Sequence, residues 1–265
     1  RDTTDVVEAK GIERSWDSIR QADLVIFLTD AQSTSQQDNL KTQILKALPP
    51  KCAVLELVNK ADLLEPETYE SEIKAYSHIV NFAAESHVDR SITGPKPFFM
   101  TNAVGVGVLC DVLLRTNVNR FLQVSTDEVY GPILNSESTE SDLLIPSSPY
   151  SSSKSAGDLI ALSFWKTFQL PTIVTRGSNT YGPRQFPEKL IPLAILNLKA
   201  GKKIPVYGDG KQVREWMHVM DHANGIWHAL LSGADGEIYN IGSGERLTNL
   251  ELLSELLRAF NFDKR

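Results

Sequence analysis

"RFLQVSTDEVYG" (residues 120–131) begins as a near-continuous apolar run and ends in a threonine followed by two acids. Alternation of apolar and polar residues would mark a strand wetted on one side. A run like this one fits a parallel strand covered on both faces. A buried strand gains nothing in packing from two adjacent carboxylates at its tip, because each must be solvated or paired. Thr126, Asp127 and Glu128 are therefore either a solvated βα loop with a helix-capping acid, or groups that do chemistry. Further along, "SSPYSSSKSAGD" (residues 147–158) places Tyr150 and Lys154 one helical turn apart, with Pro149 suited to the first turn of a helix. A phenol with its unperturbed pKa of ~10 is a poor base at neutral pH, and a neighbouring ammonium is expected to favour the phenolate.

Outward from this pair of segments, short β-branched runs alternate with helical patterns. "DLVIFLTD", "AVLELVNKAD", "HIVNFAA", "RFLQVST" and "PTIVTRG" read as strands. Residues 11–21, 37–48, 98–116 and 150–169 read as helices, and 248–260 as a final helix after the strand "EIYNIG". The alternation predicts an α/β protein with a Rossmann-like, doubly wound, mostly parallel sheet that binds ligands at the carboxyl ends of its strands. From about Pro183 the texture shifts to clustered Pro, Gly and charged residues, which suggests a smaller C-terminal substrate lobe rather than more parallel sheet.

Composition narrows the partners. The chain of 265 residues carries a formal charge of −6, so no basic stripe for nucleic acid is expected. Cys52 and Cys110 are isolated thiols outside any metal-ligand spacing, so neither a metal nor a disulfide is expected and a reducing cytoplasm is the default. The apolar runs read as too short to cross a bilayer. His87 reads as a core or supporting histidine. "GDGKQ" lacks the pattern of a phosphate loop, and "GVGVLC" falls within a helix.

The segments "NFAAESHVDRS", "STDEVYG", "PYSSSK", "RGSNTYGPRQFPEKLIP", "VYGDGKQVREWMHV" and "YNIGSGERLTNLELL" occur in order from about residue 78 to the end. Together they resemble the dTDP-glucose 4,6-dehydratases of the extended short-chain dehydrogenase/reductase family. The resemblance implies an NAD-dependent hydro-lyase acting on a nucleotide-sugar. Tyr150 would be the base for oxidation at C4, Lys154 would hold the nicotinamide ribose, and Thr126 would bond the reacting hydroxyl. Glu128 would remove the C5 proton and Asp127 would protonate the departing C6 hydroxyl, after which hydride returns to C6 and NAD is regenerated. Ala83, Ala84, Glu85, Ser86 and Thr101, with Tyr150 and Lys154, match cofactor-binding positions. Asn179, Glu188, Lys189, Arg214 and Asn249 match substrate-binding positions. Thr180 stands where the family commonly has asparagine, and Met220 where an acid is usual. The helices over 98–116 and 150–169 resemble the pair that forms a four-helix homodimer interface.

The glycine-rich turn and ribose-binding acid of such enzymes do not precede His78, which predicts weak retention of NAD. Instead "RDTTDVVEAKGIERSWDSIRQADLVIFLTDAQ" and "ELVNKADLL" resemble part of the GTPase domain of tRNA-modification GTPases, in which Asn59, Lys60 and Asp62 would read guanine. No phosphate loop accompanies them, so tight GTP binding is not expected. The expected organisation is a GTPase-like α/β fragment over 1–75, a partial NAD-binding domain with the catalytic residues over 76–182, and a truncated substrate-binding lobe over 183–265. Three other readings stay open: a residual guanine-nucleotide binder, a chimeric non-catalytic scaffold, and a sister sugar-nucleotide epimerase or decarboxylase.

Overall fold

The computed structural model describes residues 16, 20, 24–30, 35–50, 53–59, 77–132, 137–206 and 208–260. The chain divides into two units, Arg1–Glu72 and Ile73–Arg265. In the first, β1 (Leu24–Asp30), α1 (Ser35–Ala47) and β2 (Ala53–Asn59) form a βαβ arrangement whose two strands pair in parallel, Leu24 opposite Ala53. The helix expected over 11–21 lies largely outside the described residues.

The second unit is built on β3 (His78–Asn81), β4 (Arg120–Thr126), β5 (Thr172–Gly177) and β8 (Ile238–Ile241), parallel throughout in the order β3-β4-β5-β8. β4 is buried over its five central residues and β5 along its whole length, as their apolar reading requires. Alternate residues Leu122 and Val124 of β4 join Ile173, Ile226, Ala229 and Leu230 in a core cluster beneath α6 (Val219–Ser232). The other face is covered by α4 (Pro149–Phe168), against which α2 (Val88–Thr93) and α3 (Lys96–Leu113) pack.

Two helical features position the site. Ser148 caps α4 in a reciprocal capping box with Ser151, and Pro149 follows, so Tyr150 sits in the first turn. In α3 the turn Met100–Val104 widens to π geometry, and there Gly157 of α4 crosses so closely that a Cβ would lie 2.3 Å from the Asn102 carbonyl oxygen. Helix α3 matches a membrane span by length and composition alone, as an apolar helix built into a protein core also does. Phe98, Val106, Cys110 and Leu113 of this helix are buried.

The C-terminal lobe departs from the sequence expectation. β6 (Asn179–Tyr181), β7 (Val213–His218) and β9 (Arg246–Thr248) form a separate sheet, with β7 and β9 antiparallel. It packs with α5 (Leu190–Lys199) and α7 (Asn249–Ala259) around Ile191, Trp216 and Leu252. β8, however, returns to the parallel sheet, because Tyr239 and Ile241 pack against the main core rather than the lobe.

Candidate active site

β4 stops at Thr126 because the next four residues, Asp127–Tyr130, turn as a single 3-10 helix with Thr126 as its cap. The Glu128 amide donates to Thr126 Oγ1 at 3.3 Å. Thr126 Oγ1 also donates to Asp127 Oδ1 at 3.2 Å. Tyr150 reaches the same place from α4. Its backbone N–H donates to Ser91 Oγ at 3.1 Å, Phe98 packs edge-on to its ring at 6.4 Å, and it is only 9% exposed. The Thr126 hydroxyl, Glu128 and Asp127 all act on the Tyr150 phenol. Two segments separated by a long loop thus meet around one space.

The electrostatics separate the two acids. Burial, and next the Glu128 carboxylate, push Asp127 up to about 6, against the smaller pull of its Thr126 bond. Burial also raises Glu128, but Arg214 and Lys189 draw it back. Both acids are thus held above their ordinary range by burial, with Glu128 acting on Asp127 and with Arg214 and Lys189 acting on Glu128.

Tyr150 differs from expectation. Burial first, then Glu128, raise the phenol well above its ordinary range. Lys154 does not offset this, because its Nζ donates to the Val124 carbonyl at 2.6 Å and the anion acting on it is Asp158. Burial lowers Lys154 itself.

Ala83, Ala84, Glu85 and Ser86 follow β3 in an irregular segment. Asn102, which the sequence reading passed over in favour of its neighbour Thr101, holds that segment. Its Oδ1 accepts from the Glu85 amide at 2.8 Å, while Nδ2 donates to the Glu85 carbonyl at 2.9 Å and to Ser153 Oγ at 2.9 Å. A fully buried amide within an otherwise apolar helix was the available signal. Thr101 is half-buried on the same π turn.

Among the expected substrate residues, Arg214 and Lys189 approach Glu128. Lys189 Nζ donates to the Ser86 carbonyl at 3.3 Å. Glu188 is already engaged, 2.8 Å from Arg90 Nη2 and 3.4 Å from His87 Nε2. Asn179 opens β6 opposite Trp216, and Asn249 starts α7 with its amide on the Gln212 carbonyl. Thr180 bonds His222 Nδ1 at 2.7 Å, while Met220 is exposed. A cavity of about 580 Å³ lined by Tyr181, Trp216, His218, Asp221, Ile241 and Glu245, among others, touches none of the residues expected from sequence. Among the described residues no cluster suits a metal ion. Asn59 ends β2; Lys60 and Asp62 lie outside the described residues.

The family model described as "NAD dependent epimerase/dehydratase family" matches residues 16–242. A dTDP-glucose 4,6-dehydratase of an Actinoplanes species is 48% identical over 200 residues, covering 76% of this chain and 62% of that protein. The dTDP-glucose 4,6-dehydratase of Streptomyces antibioticus is 49% identical over 201 residues, covering 76% of this chain and 60% of its own length. The chain thus spans about three fifths of these relatives. The crystal structure of DesIV, a dTDP-glucose 4,6-dehydratase from Streptomyces venezuelae with NAD and TYD bound, superposes with TM-score 0.78 at 40% identity, covering 95% of this chain and 77% of that one. A UDP-glucuronic acid 4-epimerase from Bacillus cereus, 23% identical with TM-score 0.76 and covering 94% of this chain and 79% of that one, shares the fold. These matches lend no support to a GTPase fragment, since the family match already begins at residue 16.

Proposed function

The chain belongs to the NAD dependent epimerase/dehydratase family, and from that premise we propose that it is an NAD-dependent sugar-nucleotide 4,6-dehydratase, taking dTDP-glucose to dTDP-4-keto-6-deoxyglucose. The observation that carries this reading is the acid pair beside Tyr150, with Asp127 pushed up to about 6 and Glu128 facing Arg214 and Lys189. Elimination across C5 and C6 needs one group that takes a proton and another that gives one, and two carboxyls tuned apart meet that need. Redox at C4 alone needs a base for the C4 hydroxyl but no such pair of carboxyls.

In this reading Glu128 removes the proton that a C4 ketone acidifies, and Asp127 protonates the leaving C6 oxygen. Thr126 bonds the C4 hydroxyl and Tyr150 accepts its proton. The residues present suit NAD. The segment carrying Ala83 to Ser86 lies at the carboxyl end of a parallel strand and is fixed by Asn102, and the Lys154 ammonium has donors beyond the one given to Val124. These residues, with Thr101 and Tyr150, would hold it. Bound NAD supplies a reversible two-electron acceptor and, through its cationic ring, a charge that favours the phenolate. Arg214, Lys189, Glu188, Asn179 and Asn249 would hold the nucleotide-sugar, Glu188 through its pairing with Arg90.

Residues 76–182 would supply the cofactor half and 183–265 the substrate half. Met100, Val104 and Val108 form an exposed apolar stripe on α3, and Leu159 is exposed on α4, which suits a homodimer through these helices. A cytoplasmic location suits isolated thiols. The test is incubation with dTDP-glucose and added NAD. Formation of the 4-keto-6-deoxy sugar supports the reading, and unchanged substrate, or its C4 epimer, contradicts it.

A further inference from the structure

Residues that take no part in the proposed chemistry form a buried chain beneath it. Ser125, Arg176 and Asn240 lie side by side across β4, β5 and β8 in the parallel register, so Arg176 sits centrally on the α4 face of the sheet. Its Nε donates to Asp158 Oδ2 of α4 at 3.0 Å, and the two residues are 2% and 0% exposed. Its Nη1 donates to the Tyr130 hydroxyl at 2.9 Å, and the guanidinium carbon stands 4.9 Å from the Tyr130 ring centroid. Tyr130 in turn donates to Asn240 Oδ1 at 2.7 Å, and Asn240 Nδ2 donates to the Ser138 carbonyl at 3.1 Å. Arg176 donates to both of its neighbours, and from it the donors run one way through Tyr130 and Asn240 to Ser138, so the phenolic oxygen has both its accepting and its donating role filled.

Tyr130 is the last residue of the turn Asp127–Tyr130, whose first two residues are the acids. The turn closes through the Gly131 amide on the Glu128 carbonyl at 3.1 Å, and Gly131 has φ +80 with no room for a Cβ beside the Ile145 carbonyl. In so short a turn, fixing the last side chain fixes the direction of the first two. Asp158 meanwhile lies one helical turn beyond Lys154, so a single carboxylate serves both buried cations.

We propose that the Asp158–Arg176–Tyr130–Asn240 chain is a positioning device that aims the Asp127–Glu128 pair, with Tyr130 its principal positioning residue. The inference rests on the dehydratase reading only for the use made of those acids. The groups facing Asp127 are Thr126 of β4, Glu128 of the turn, Tyr150 of α4, and Arg214 and Glu215 of β7, and none of them changes in the variants below.

The test uses Tyr130→Phe, which keeps the ring but removes the hydroxyl, and Asn240→Ala, which removes the next link should the first variant not fold. The ¹³C resonance of the Asp127 carboxyl, identified by its loss in Asp127→Asn, is titrated in the full chain. The wild-type midpoint is expected near 6. A released turn admits water to the acid, so the midpoint in the variants is expected to fall by about one pH unit, with kcat lower by about tenfold and KM within about twofold. An unchanged midpoint in either folded variant overturns the proposal, whatever the turnover. A shifted midpoint in a protein that forms no 4-keto-6-deoxy sugar upholds the positioning device and overturns the dehydratase reading instead.

Discussion

Asp127 and Glu128 are neighbours in sequence with different surroundings, and this difference is what permits opposite tasks. Replacing Glu128 by Gln keeps the shape and hydrogen bonding but removes the base. Product formation is expected to fall by about two to four orders of magnitude, while calorimetric binding of dTDP-glucose stays within about threefold. Asp127 also carries a stability consequence. Its folded value, about 6, lies above the ordinary 3.8, so between those values the folded chain holds more proton than the unfolded one. Stability therefore falls as pH rises through that window and is level above it. Asp127→Asn removes this cost, and denaturant midpoints at pH 7.5 are expected to show a gain of up to roughly 3 kcal/mol that vanishes near pH 3.5. No gain at pH 7.5 would mean that the acid is not strained by its site. The sequence made these residues legible because two carboxylates on an apolar strand stand out. The state of Tyr150 was not legible, since it depends on where the Lys154 ammonium goes, and the Val124 carbonyl captures it.

At the scale of elements, the contact between α3 and α4 is decided by Gly157. Glycine to alanine inside a helix ordinarily stabilises by ~1 kcal/mol through backbone entropy. Here the added methyl would lie 2.3 Å from the Asn102 carbonyl oxygen, and overpacking against backbone costs about 1–3 kcal/mol. The clash should win, so Gly157→Ala is expected to lower stability by about 1–2 kcal/mol in urea titration. A stabilised variant would show that the helices can separate without loss. Periodicity located both helices within about three residues, because apolar spacing and the Ser148-Pro149 start are local signals. The π turn at Met100–Val104 was not visible, because it arises from Asn102 reaching the chain after β3 and from the close passage of α4.

For the whole molecule, the apolar stripe of Met100, Val104 and Val108 suits the homodimer proposed through α3 and α4. Sedimentation is expected to give twice the chain mass, and Val108→Glu is expected to give single chains; a wild type that sediments as a single chain contradicts the assembly. The parallel sheet was readable from the alternation of buried runs with helices. The return of β8 to that sheet was not, since "EIYNIG" follows a lobe of different texture and only the packing of Tyr239 and Ile241 on the main core draws it back. In the proposed reaction one hexose, held between Tyr150 and the acid pair, is oxidised at C4 and loses its C6 hydroxyl. The most direct test is turnover of dTDP-glucose deuterated at C4, with added NAD and mass and NMR analysis of the sugar. A dehydratase is expected to give a 4-keto-6-deoxy product carrying the deuterium on C6; deuterium found back on C4 of an intact hexose, or no conversion at all, would overturn the proposed function.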